Sequence, residues 1–293
     1  MMRRRPPAAL ALLSALFALP QPARAIVLGE AVNDPSGLRS FTLRVESTRG
    51  ELCTGVAIDR QTLITAAHCV LGGGRFSATS LGPDFRPRKH GVARILPHPS
   101  FVPGTTPRTQ PGADLALIRL SEPLPQDISP LSPGGGLWTG DALTIAGFGL
   151  GAEGSPTSAR QLRSARLVSA GVYTSANSVT IAVDETRRGE RGGAGACRGD
   201  SGGPALRGGA GSRDLVGIVS WSSGPLQTMP GGLARRVCGG FTSITPLGGH
   251  AGWIAATAAA MAEGRALPPP SATTSRASPP ALSAGGNASV IER

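Results

Sequence analysis

Short apolar runs, each of strand length and each closed off by Gly, Pro, Ser or Asp, recur from Ile26 to about Ile244 and constrain the fold more than any other feature. Phe41–Val45, Gly55–Ile58, Leu63–Thr65, Val92–Leu96, Leu115–Leu120, Ala142–Ala146, Ala165–Ser169, Val179–Val183 and Leu215–Ser220 are rich in branched residues. No helix-length periodicity intervenes, which predicts an all-β sandwich or barrel. The length favours two such units, with a boundary in the Pro-rich stretch from Ser121 to Gly136. After Gly248 the pattern changes. Trp253, Ile254 and the alanines up to Met261 predict one closing helix, over about 250–263, ending at Gly264. From about residue 265 the chain turns to Pro, Ser, Ala and Thr, including Pro268–Pro270, and has too little apolar content to fold, so a disordered tail is expected. Within it, Asn287-Ala-Ser289 matches a glycosylation sequon by pattern alone.

The first 25 residues are expected to lie outside the folded unit. Arg3, Arg4 and Arg5 form a basic head, Ala8–Leu19 an apolar run too short to span a bilayer, and Ala23-Arg24-Ala25 a small-x-small cleavage site. That order reads as a secretory signal peptide. An amphipathic surface helix is the alternative, but the run has no polar face. No other apolar segment is long enough to cross a membrane, so stable membrane insertion is not expected. Export, extracellular or periplasmic, makes Cys53, Cys69, Cys197 and Cys238 candidates for two disulfides, for which three pairings exist. Zinc is the competing reading, but no pair has the short ligand spacing of such sites.

The formal charge of +11 falls to +7 once Arg3, Arg4, Arg5 and Arg24 leave with the signal. The charge is scattered, and eleven aromatic residues (7 Phe, 3 Trp, 1 Tyr) provide no stacking platform, so nucleic acid is not an expected partner. Attraction to anionic surfaces is a simpler consequence of the charge.

One turn carries chemistry. In Gly199-Asp200-Ser201-Gly202-Gly203-Pro204 three glycines free the backbone to turn tightly and gather N–H groups, the way main chain alone forms a pocket for an anionic oxygen. A solvated Gly/Ser/Asp loop is the plain alternative. A serine nucleophile needs a base, and the base needs a group to fix its tautomer. Of four histidines, His90 and His98 read as exposed loop residues and His250 lies at the entry to the final helix. His68 follows a strand and adjoins Cys69, which a disulfide could anchor. An acid buried beside an imidazole should stand in an apolar strand, because burying an unpaired charge is costly. Asp114, opening Asp114–Leu120, fits, although a strand-initiating turn cap would read the same.

Thr65-Ala-Ala-His-Cys69, Asp114-Leu-Ala-Leu117 and Gly199–Pro204 together resemble the three signature blocks of the chymotrypsin-like (trypsin family) serine proteases, in the family's order. Cys53-Thr-Gly55, Gly91–Phe101, Gly147-Phe-Gly149, Ser220-Trp221 and Trp253-Ile254 extend the resemblance from Ile26 to the final helix. It implies two antiparallel six-stranded β-barrels, at about 26–130 and 137–247, with a C-terminal helix, and a secreted serine endopeptidase acting as a monomer on protein or peptide substrates. Ser201 would attack the peptide carbonyl, His68 would act as base and then acid, Asp114 would orient His68, and the N–H groups of Gly199 and Ser201 would bind the oxyanion. Cys53 would pair with Cys69, and Cys197 with Cys238. Signal cleavage would expose Ile26, which would insert its ammonium beside Asp200; an ordinary first strand is the alternative.

Counting back from Ser201, the family's pocket floor falls on Gly195, which supplies no carboxylate for a Lys or Arg side chain. With Ser220, Trp221 and small Ser222 on the wall, the pocket is expected to take uncharged residues. The loop between Trp221 and Cys238 is longer, and the segment after Cys238 shorter, than the family's usual pattern. Between Val70 and Lys89 the only carboxylate is Asp84, so no calcium loop is expected, nor any metal or cofactor. A noncatalytic binding or adhesion protein on the same scaffold, or an esterase with the same triad, are the alternative functions.

Overall fold

The computed structural model describes residues 26–265, apart from 35, 175, 187–191, 210 and 226–236. The signal peptide, the tail from 266 and the central part of the loop after Trp221 lie outside the described residues. The strands are β1 (Glu30–Ala31), β2 (Thr42–Ser47), β3 (Leu52–Ala57), β4 (Thr62–Thr65), β5 (Phe76–Leu81), β6 (Pro87–Pro97), β7 (Ala116–Leu120), β8 (Ala142–Gly147), β9 (Arg163–Thr174), β10 (Ser178–Asp184), β11 (Pro204–Arg207), β12 (Leu215–Ser223) and β13 (Phe241–Pro246). Among the described residues a single helix of more than one turn, α1 (Ala251–Ala262), follows. Among the described residues no helix is long and apolar enough to cross a membrane.

Two barrels form. The first closes in the order β2-β3-β4-β7-β6-β5. The second is a seven-stranded sheet, β1-β9-β10-β13-β12-β11-β8, in which β8 also pairs with β9, so six strands close a ring and β1 pairs with the start of β9. All pairings between the named strands are antiparallel. The period-2 pattern explains the burial: in β2, Leu43 and Val45 are fully buried while Arg44 and Glu46 lie on the other face. In β9, Arg163, Ala165, Leu167 and Ser169 alternate inward in the same way.

Three elements depart from the expectations drawn from sequence. The segment assigned to the first barrel at its start belongs to the second: Glu30 pairs with Ser164, and Val27 bridges to Gly195. A two-residue strand carries too little pattern to announce its partner. His90 lies in β6, half-buried, with Nε2 2.8 Å from Ser80 Oγ, rather than in an exposed loop. His98 is half-buried against Trp253 and His250, with ring centroids 4.5 and 4.8 Å away. Helix α1 therefore covers the end of β6, and its Ile254 and Met261 enter the same core as Phe41, Leu115 and Leu117. The segment from His98 to Asp114 is closed on itself, the His98 N–H donating to the Leu115 carbonyl (2.7 Å) and the Ala113 N–H to Ser100 Oγ (2.9 Å), which fixes where Asp114 emerges.

Candidate active site

The site assembles where the two barrels meet. Strand β4 ends at Thr65 and the chain closes a short 3-10 turn, Ala67–Val70, that carries His68. A disulfide between Cys53 of β3 and Cys69 (Cα–Cα 6.1 Å) ties that turn to the barrel wall. Asp114 sits just ahead of β7, two residues earlier than the strand begins, and is fully buried.

Asp114 is satisfied on every side. Its Oδ1 accepts the His68 backbone N–H at 3.0 Å, while Oδ2 takes His68 Nδ1 at 2.7 Å and the Ser220 hydroxyl at 2.6 Å. Burial acts to raise its pKa, but the hydrogen bonds from the His68 ring, Ser220 and the His68 backbone, with the charge interaction with His68, hold it below the usual carboxylate range. A carboxylate accepting at Nδ1 puts the imidazole proton there and leaves Nε2 with a lone pair.

Ser201 lies in a turn that other residues could not make. Gly199 has φ +99° and Gly202 φ +85°, and a Cβ on Gly202 would stand 2.0 Å from the Thr54 carbonyl oxygen. The turn is locked across the barrel interface by Thr54, whose N–H donates to the Ser201 carbonyl (2.8 Å) and whose hydroxyl donates to the Gly199 carbonyl (2.9 Å). The Asp200 N–H donates to Cys197, whereas among the described residues the N–H groups of Gly199 and Ser201 have no acceptor. Two free donors thus flank the serine.

The Ser201 hydroxyl does not point to His68 here: it donates to the Ser220 carbonyl at 2.9 Å. Ser220 consequently touches both ends of the constellation, its hydroxyl on Asp114 and its carbonyl on Ser201 Oγ. Cys69 Sγ, 3.8 Å from His68 Nε2 and 3.7 Å from the Ser201 carbonyl oxygen, packs between base and nucleophile turn. Cys53, His68 and Cys69 bring three metal-type ligand atoms within 4.8 Å, but both sulfurs are consumed by the disulfide.

Asp200 is fully buried, and its oxygens accept the N–H groups of Gly149 (2.8 Å) and Cys197 (2.9 Å). Burial pushes its pKa up to about 7 against those two donors. Ile26 is fully buried in the second-barrel core beside Ala196, and adopts φ +49°, a strained value for a β-branched residue. Gly195 is buried and bonded to the Val27 carbonyl (3.2 Å). Ser222 sends its hydroxyl to the Val237 carbonyl (2.9 Å), and Cys197 is bonded to Cys238 (Cα–Cα 4.9 Å). Sequence reasoning assigned Ser220 to the pocket wall and did not select Thr54. Both lie in family-like motifs, Ser220-Trp221 and Cys53-Thr-Gly55, but neither motif alone says that Ser220 would reach Asp114 or that Thr54 would hold the serine turn.

A fold of two six-stranded barrels with a carboxylate-backed imidazole and a glycine-bound serine at their junction defines the two-barrel hydrolase class. The family model described as trypsin matches residues 26–243, and the chain belongs to the trypsin family. Serine protease 56 of Homo sapiens is 30% identical over 247 residues, 72% of this chain and 37% of that protein. A trypsin-like protease of Streptomyces glaucescens is 30% identical over 201 residues, covering 65% of this chain and 71% of its own. The chain thus spans only 37% and 35% of the human and Mus musculus forms of serine protease 56. Among solved structures, neuropsin, a serine protease expressed in the limbic system of mouse brain, aligns with a TM-score of 0.61 at 20% identity, over 80% of this chain and 100% of its own, a likeness of fold.

Proposed function

We propose that the protein is a secreted serine endopeptidase working through His68, Asp114 and Ser201. The observation that carries this reading is the 2.7 Å contact between His68 Nδ1 and fully buried Asp114, beside a serine flanked by two unused N–H donors. Ser201 Oγ leaves the Ser220 carbonyl and attacks the substrate carbonyl carbon while its proton passes to His68 Nε2. Asp114 stabilises the resulting imidazolium without taking the proton. The oxyanion forms against the N–H groups of Gly199 and Ser201, each donor contributing about 3–4 kcal/mol in comparable sites. His68 then protonates the leaving amine, the C–N bond breaks, and water enters by the same route to release the acyl group.

Two finer assignments accompany it. Gly195 at the pocket floor carries no charge, which supports a preference for uncharged side chains before the scissile bond. Chromogenic peptides varied at that residue test this: aromatic or aliphatic residues should exceed Arg or Lys at least tenfold in kcat/KM, and the reverse order would refute it. Activation by the freed Ile26 ammonium is supported by Asp200, which among the described residues is paired with no cation, and by the positive φ of Ile26. That torsion exists only while Ile26 is joined to Ala25, so cutting the bond removes strain of about 1–3 kcal/mol. Export, monomeric state and the division into signal, protease domain and tail belong to the same proposal. The two disulfides support export.

A further inference from the structure

Strand β12 pairs with β11 only as far as Ile218 opposite Pro204, while β13 covers its other edge through Ser223. Among the described residues, one edge of β12 is therefore unpaired from Ser220 onward, and it begins at the carbonyl that holds Ser201 Oγ. Along an antiparallel edge alternate residues present their backbone groups to the same side. Ser220 and Ser222 share the open side, since the Ser223 carbonyl is taken by Gly240 on the other. An extended peptide with its reacting carbonyl at Ser201 would add there as a strand, and its residue two positions upstream would meet Ser222.

That position is filled by Arg108. Its guanidinium donates to the Ser222 carbonyl at 3.0 Å and lies over the Trp221 ring at 4.8 Å from the centroid. Arg108 is exposed, and among the described residues no carboxylate pairs with it. The loop presenting it is braced. Fully buried Gln110 accepts the N–H groups of Val102 and Gly112 and donates to the Val102 carbonyl (3.0 Å), and Asn177 of the β9–β10 turn holds the Gly112 carbonyl at 3.0 Å.

Resting on the serine endopeptidase reading, we propose that Arg108 is a specificity-determining residue, selecting peptides with an Asp or Glu two to four residues before the scissile bond. A substrate N–H takes over the Ser222 carbonyl and releases the guanidinium, which stays stacked on Trp221 and pairs with the incoming carboxylate. A neutral peptide displaces the same bond and receives no ion pair in return.

The test is kcat/KM for tetrapeptide chromogenic substrates with a fixed uncharged terminal residue, scanned with Asp or Glu against Asn or Gln at the three upstream positions. Wild-type protein should favour the acidic peptide about fivefold at its best position, the scale of one partly exposed ion pair, and less at high salt. Arg108→Ala should bring the ratio to about one, and Arg108→Lys should restore part of it. Neutral-peptide turnover, abolished by Ser201→Ala, reports the hydrolase reading separately. A wild-type ratio near one, or a ratio unchanged in Arg108→Ala while neutral peptides are cleaved, overturns the role of Arg108 alone. No serine-dependent turnover of any peptide overturns both readings.

Discussion

At the scale of single residues, Asp114 and Ser220 do different work although they share a hydrogen bond. Asp114 fixes which imidazole nitrogen carries the proton, so Asp114→Asn should present the wrong tautomer and lower kcat about 10⁴-fold. Ser220→Ala removes one 2.6 Å donor from a buried carboxylate but leaves the two contacts from His68. Its loss should cost about 1.5–3 kcal/mol of stability and lower kcat far less than Asp114→Asn. Steady-state kinetics and urea melts on the two variants check this; equal kcat losses would mean that Ser220, not the His68 contact, sets the tautomer. His68, Asp114 and Ser201 stand out in sequence because the proposed reaction calls for those side-chain types in glycine-rich or strand-end settings. The Ser220 bond to Asp114 and the contacts of Thr54 and Arg108 do not. Their parts depend on a backbone carbonyl, a barrel interface and a ring face, and none of those leaves a spacing rule in one sequence.

At the scale of elements, the segment from His98 to Asp114 is gripped at both ends. The His98 N–H donates to the Leu115 carbonyl (2.7 Å), and its ring meets Ser100, His250 and Trp253. Burial, with the neighbouring His250, lowers the His98 pKa to about 4, and burial lowers that of His250 as well. A histidine whose folded pKa lies below its unfolded value of about 6.5 is neutral in the fold, so its contribution is present above that value and is lost as pH falls toward 4. Melting temperature should therefore drop between pH 6.5 and 4. His98→Asn, which keeps an acceptor for Ser100, should flatten part of that drop, with solvent screening limiting the effect to about 1 kcal/mol. Parallel melting curves would show that other groups carry the acid sensitivity. Here sequence was a partial guide: the strands and α1 were legible from apolar periodicity, whereas His90 and His98, flanked by polar residues and prolines, read as loop and proved to be packed.

At the scale of the whole molecule, the first residues described reach across to the second barrel, where Val27 meets Gly195 next to the Asp200 turn. β1 was expected in the first barrel because chain order suggested it, and the strand partner of two residues cannot be read from their identity. In the chain still joined at Ala25, Asp200 has a folded pKa raised to about 7, above an unfolded value near 3.8. Its contribution is fully present below pH 3.8 and is lost as pH rises through 7. Under the activation proposal, a chain beginning at Ile26 would set its ammonium beside Asp200 and reverse that sign. Compared by melting temperature across pH 4 to 8, the uncut chain should lose ground against the Ile26 form, by about 3–5 kcal/mol at neutral pH. Full activity with a residue added ahead of Ile26 would contradict the activation proposal.

Three side chains distant in sequence, His68, Asp114 and Ser201, are proposed to act as one nucleophilic unit. Mass mapping after treatment with a serine-directed fluorophosphonate should find one adduct, on the peptide bearing Ser201, lost in His68→Ala; no adduct, or one on another serine, would refute the unit.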